Sequence, residues 1–169
     1  MTADDFDDTP PRNSATAAVV VAAVATLAVV AIRPSLAVVA ALGVVVLAAG
    51  AFRGNRALVT TGAGFVFVAD LVAAFSGLGN AVFPALCGGA FAVAAWDIAE
   101  HGVGLGEHVG TDARTRHGET VHAALTLSVA VLAIGVGYAI YLLGVDDRPI
   151  AAIVALAVGA LVLFGAFSD

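Results

Sequence analysis

Long uncharged apolar stretches alternate with short charged ones along this 169-residue chain. Ser14 to Ile32 carries no charge and is closed by Arg33-Pro34, and Pro34 to Phe52 is closed by Arg53-Gly54-Asn55-Arg56. Ala57 to Ser76 is interrupted once, by Asp70. Gly77-Leu78-Gly79-Asn80 reads as a break, after which Ala81 to Trp96 resumes the apolar run. A polar stretch from Asp97 to Glu119 precedes the fifth run, Thr120 to Leu143, which Asp146-Asp147-Arg148 closes. Pro149 to Phe167 is the sixth, with Pro149 placed to start a helix. A helix rises 1.5 Å per residue and needs about 20 residues to cross a 30 Å hydrocarbon core. Lipid offers no partner for backbone N–H and C=O groups, so apolar runs of this length must be helical. The pattern predicts an all-α, polytopic membrane protein: six transmembrane helices in an antiparallel bundle, with spans near 14–32, 34–52, 57–76, 78–97, 120–143 and 149–167.

Residues 1–13 read as an acidic disordered cytoplasmic tail, with Asp4, Asp5, Asp7, Asp8, Pro10 and Pro11. A signal peptide has a positive n-region, so the first span is expected to be retained. With six spans, Arg12, Arg53, Arg56, Arg114 and Arg116 share one side, and Arg33 and Arg148 the other. The positive-inside rule then puts both termini and residues 97–119 in the cytoplasm. Trp96 and Tyr141 fall near span ends, where interfacial aromatics belong. Ala85 and Gly89, Ala133 and Gly137, and Ala155 and Gly159 are small pairs spaced by four, a spacing that lets helices approach closely.

Composition agrees with the pattern. Hydrophobic residues make up 61% of the chain and charged ones 12%, against about 45–50% and 25% in soluble domains. Mean hydropathy is +1.03. This excludes a disordered protein, an ordinary cytosolic enzyme and a nucleic-acid-binding domain; no basic run could follow a phosphate backbone. The lipid bilayer is the first partner. Seven Arg and no Lys stand against 13 acids, for a net charge of −6. An acidic, Lys-free surface fits concentrated salt, and equally a GC-rich coding sequence. Cys87 stands alone, which excludes an intramolecular disulfide and a CxxC motif.

Asp70 is the one acid well inside a span, roughly 9 Å from its outer end at 1.5 Å per residue. An intramembrane carboxylate is expensive and marks either a proton or cation site or a polar clasp between helices. Tyr138, at similar depth in span five, or Arg33 or Arg148 from the outer side, is the partner expected for a clasp.

The segment 97–119 holds the other polar candidates: Asp97, Glu100, His101, Glu107, His108, Arg114 and Arg116. Glu100-His101 recurs as Glu107-His108. On a helix Asp97, His101 and His108 share a narrow arc with Glu100 and Glu107 beside it, while Ile98, Leu105 and Val109 occupy another. The segment either extends span four or lies on the membrane surface as a cytoplasmic amphipathic segment. Gly102, Gly104, Gly106 and Gly110 weaken a helix there, so a kink or elbow is expected. Asp97, His101 and His108 are ligand types for a metal, and a metal-dependent membrane enzyme is one reading. However, His101 and His108 stand two turns apart, about 10 Å along the axis, and HExxH is absent. No metal or other cofactor is expected. Gly102-Val103-Gly104-Leu105-Gly106 fails as a dinucleotide fingerprint, because Glu107 stands where Gly is needed and no strand precedes it. No nucleophile or substrate pocket can be named, so no catalytic residue is expected.

Trp96-Asp97 through Glu100-His101-Gly102, then Leu105-Gly106-Glu107, and Asp112 to Arg116 before Glu119 and Val121-His122, resembles a family of uncharacterised haloarchaeal multi-pass membrane proteins. The Lys-free, Ala- and Val-rich composition is similar as well. The resemblance implies a role beside a MoxR-type ATPase system, and it implies no catalytic residues. The expected function is a non-enzymatic integral membrane scaffold or partner subunit in the cell membrane, with residues 97–119 as its contact segment. The alternative is a small ion or solute transporter using Asp70.

Overall fold

A computed structural model describes residues 11–76, 81–109 and 116–143, and the side chains of all of these except 108 and 109. Five α-helices account for nearly all of it: α1 (Arg12–Ile32), α2 (Ala37–Arg53), α3 (Arg56–Ser76), α4 (Val82–Val109) and α5 (Arg116–Leu142). Each is long and apolar enough to cross a membrane, α2 together with the 3-10 turn that precedes it. The predicted sixth span, the acidic tail, the break at 77–80 and Arg148 lie outside the described residues.

The charged punctuation ends helices for local reasons. After α1, Arg33 is extended and Pro34 opens a 3-10 turn, Pro34–Leu36, that leads into α2. Between α2 and α3 only Gly54 and Asn55 are non-helical. Gly54 adopts φ 68°, the left-handed conformation that favours glycine. Asn55 Oδ1 then accepts from the Leu58 N–H at 3.0 Å and caps α3. Such short links force antiparallel neighbours.

Residues Met1–Tyr138 form one compact unit and Ala139–Asp169 another, of which the last turn of α5 and Leu143 are described. In the first unit α1 packs chiefly on α4, α2 on α3, and α3 on α4. The main buried cluster is built from small side chains, with Ala15, Ala18 and Ala22 of α1, Ala63 of α3, and Ala94, Ala95 and Ala99 of α4 around Leu47, Val59, Ile98 and Val103. Packing of small residues is what holds helices together where the hydrophobic effect is weak. The closest approach is between α2 and α3. A Cβ on Gly62 would overlap the Leu47 main chain, and one on Gly43 would come within 2.8 Å of Gly62 O. Two of the small pairs expected from sequence border other contacts: Gly89 faces Asp70 and Phe67, and Gly137 faces Leu86. The third, Ala155 and Gly159, is outside the described residues. Large apolar side chains point outward instead, among them Leu27, Val38, Leu125, Val129 and Leu132.

The fourth helix takes the first of the two arrangements the sequence allows and extends the fourth apolar run. It runs unbroken for 28 residues, about 42 Å at 1.5 Å per residue. Of the 97–119 segment, residues 97–109 belong to α4 and 116–119 to α5. The helix is continuous through Gly102, Gly104 and Gly106, where a kink was expected. Two of these glycines admit neighbours. A Cβ on Gly102 would sit 2.7 Å from Ser14 Cβ, and one on Gly104 would sit 3.3 Å from Arg56 Nη2.

Candidate functional site

The helix ends place Ser14, Arg56, Glu100, Glu107 and Glu119 at one end of the first unit, where polar contacts join four helices. On one flank of α4, Glu100 and Glu107 lie two turns apart, and Arg56 at the start of α3 bridges them. Its Nη1 meets Glu100 Oε2 at 2.5 Å, and its Nη2 meets Glu107 Oε2 at 2.8 Å. Gly104 lies between the two acids, so nothing stands between the guanidinium and the helix. The planar fork of Arg suits two carboxylates better than the point charge of Lys would. Trp96 Nε1 donates to Thr60 Oγ1 at 3.2 Å, one turn further toward the apolar part of the same interface.

On the other flank, Asp97 and His101 face α5. Thr126 Oγ1 donates to Asp97 Oδ2 at 2.6 Å. His122 Nε2 lies 2.9 Å from the same oxygen, but without the alignment of a hydrogen bond. The His101 and His122 rings stack with centroids 3.8 Å apart and planes 15° from parallel. Nearby, Glu119 is buried and accepts from both Ser14 N (3.1 Å) and Ser14 Oγ (2.9 Å). Among the described residues no three His, Cys, Asp or Glu side chains form a group that could hold a metal ion.

Much of the expected contact segment is thus engaged inside the molecule. Asp97, Glu100, His101 and Glu107 each touch α3 or α5. Arg116 opens α5 and is exposed. The side chain of His108 and all of Arg114 lie outside the described residues. Sequence reasoning missed Ser14, Thr60 and Thr126 as partners, and it used Arg56 only as a marker of topology. The available signal was Arg56 itself, a charge at the start of a span facing a helix with two acids seven residues apart.

The intramembrane candidate sits elsewhere. Asp70 on α3 is 3% exposed, and its Oδ1 is buried without a hydrogen-bond partner. Gly89 borders the carboxylate: a Cβ there would sit 3.4 Å from Asp70 Oδ2. A Cβ on Gly88 would overlap Asp70 Oδ1, so the carboxylate rests directly on the α4 backbone. Asp70 also lines a recess of about 430 Å³ with Phe67, Leu71, Leu86 and Ile134. The Tyr138 ring packs edge-on against Phe83, centroids 5.2 Å apart. Arg33 Nε donates to Ser35 Oγ at 3.3 Å, within its own turn. Among the described residues, then, no Arg or Tyr hydroxyl satisfies Asp70 Oδ1.

No curated protein and no solved structure matches the chain. One family profile spans nearly all of it, residues 8–164. With its all-helical, apolar architecture, the chain belongs to DUF7519, a family of unknown function.

Proposed function

We propose that this chain is a multi-pass subunit of the cell membrane, without enzymatic activity, that anchors protein partners on the cytoplasmic side. Residues 149–167 supply a sixth span, and both termini are cytoplasmic, as the Arg distribution favours. The observation that carries the reading is the length and bracing of α4. A helix of about 42 Å exceeds a 30 Å hydrocarbon core by roughly two turns. Its charged end is held by Arg56 on one side and by His122 and Thr126 on the other. A surface held rigid before binding loses less entropy when a partner docks. A MoxR-type ATPase system is the partner implied by the family resemblance. The acidic, Lys-free composition supports the haloarchaeal, high-salt setting of that resemblance. Affinity purification of the full chain from native membranes tests the proposal. Alanine at the exposed positions Arg116 and His117 is expected to release the co-purifying proteins. If every one of them remains, the reading fails.

A second reading is favoured by Asp70. A buried carboxylate that lines a recess, with no Arg or His within ion-pair distance among the described residues, favours an ion or solute site over a clasp. Under this reading the chain is a small transporter. Flux into proteoliposomes that is unchanged by Asp70→Asn would rule it out.

A further inference from the structure

We propose that the Asp70 recess binds an organic cation with an apolar body, taking its charge at the carboxylate and its body against the α3–α4–α5 walls. The proposal rests on the transport reading and names its substrate class.

Three observations carry it. The first is charge. Asp70 is buried, and among the described residues no Arg or His lies within ion-pair distance of it. A carboxylate in so apolar a place must be neutralised by a proton or by a bound cation. The second is construction. Gly88 and Gly89 leave α4 bare where the carboxylate meets it, and Gly89 also lines the recess beside it. The third is the lining. Apart from Asp70 the named walls are apolar: Phe67, Leu71, Leu86, Ala133 and Ile134, with further small residues.

That lining selects the ligand. A hard inorganic cation needs about six to eight oxygen ligands, or an octahedral shell that keeps its waters. The recess offers one carboxylate. An organic cation needs only one counter-charge, and the rest of its surface gains from apolar walls. Phe67 puts an aromatic ring in the wall, a group that attracts cations. A volume of about 430 Å³ lies within the range of small-molecule sites, about 300–1,000 Å³.

The test is equilibrium dialysis of radiolabelled tetraphenylphosphonium against the full chain in detergent micelles, with empty micelles subtracted. Saturable binding is expected. Asp70→Asn, which keeps the shape and removes the charge, is expected to weaken it by about tenfold or more, the loss of one charge-assisted contact. Ala133→Trp fills the recess from its exposed α5 wall and leaves Asp70 in place, and it is expected to weaken binding as much. Circular dichroism checks that each variant keeps its helices. Absence of saturable binding overturns the proposal, as does unchanged affinity in Asp70→Asn. Should that variant fail to fold, unchanged affinity in Ala133→Trp overturns it. Sodium flux into proteoliposomes separates the two levels. Flux that Asp70→Asn abolishes, without tetraphenylphosphonium binding, refutes the organic cation and leaves the transport reading standing. Absence of both removes both.

Discussion

Replacing Glu119 by alanine is expected to loosen the start of α1, although Glu119 belongs to α5. The first N–H groups of a helix have no intrahelical acceptor. Pro11, at the N-cap of α1, provides no side-chain cap. Ser14 N is one of the orphan donors, and Glu119 Oε2 accepts from it at 3.1 Å and from Ser14 Oγ at 2.9 Å. The carboxylate thus caps α1 in trans and meets the positive end of its dipole. Ser14 is 4% exposed and Glu119 5%, so both groups are largely withdrawn from solvent. Leaving a buried donor unsatisfied costs about 1–3 kcal/mol. With two donors on one oxygen, Glu119→Ala is expected to cost about 2–4 kcal/mol. Glu119→Gln keeps an acceptor oxygen and loses the charge, for about 1 kcal/mol. Ser14→Ala in the alanine background removes one stranded donor and should recover part of the loss. The assay is reversible unfolding by sodium dodecyl sulfate in mixed micelles, followed by far-ultraviolet circular dichroism. A loss below about 0.5 kcal/mol for Glu119→Ala, the range of ordinary surface substitutions, would refute the cap.

Gly62→Ala pushes a Cβ into the Leu47 main chain and is expected to cost about 1–3 kcal/mol of overpacking, read by the same titration. Gly54→Ala forces a side chain into φ 68° and should cost about 1–2 kcal/mol. Its neighbour Asn55→Ala should lose only a cap, about 1 kcal/mol. Arg56→Gln breaks both ion pairs. Because Arg56 and Glu107 are 46% and 44% exposed, screening should hold the loss to about 1 kcal/mol, diminishing as salt is raised. A loss independent of salt would show that Arg56 acts by packing instead.

The spans were legible because charge is scarce. Arg33-Pro34 and the Arg53 to Arg56 turn leave few ways to continue a helix, and α1 to α3 end within a residue or so of where the charges predict. The length of α4 was half legible: an extension of span four was one of two readings of the segment that begins at Asp97. Gly102, Gly104 and Gly106 argue against a helix by propensity, and tertiary contacts overrode them: two of the three are points where Ser14 and Arg56 come close. The inward orientation of Asp97 and His101 was half legible. Their shared arc follows from helical spacing, but the partner across the gap does not. His122 sits in a different helix, and no periodicity reports on what lies opposite. Ser14 and Glu119 were invisible for the same reason, being 105 residues apart. Asp70 was found by its incongruity within an apolar run. That its oxygen lacks a partner needed coordinates.

The Arg56 clamp and the Asp70 contact are made by the same two helices. Helix α3 carries Arg56 and, fourteen residues on, Asp70. Helix α4 carries Gly88 and Gly89 and, some three turns on, Glu100. The two contacts act as pins through one pair of rods. A rigid slide of α3 along α4 would shift both contacts together. A load applied to the charged end of α4 is therefore geared to the carboxylate about 20 Å away along α3.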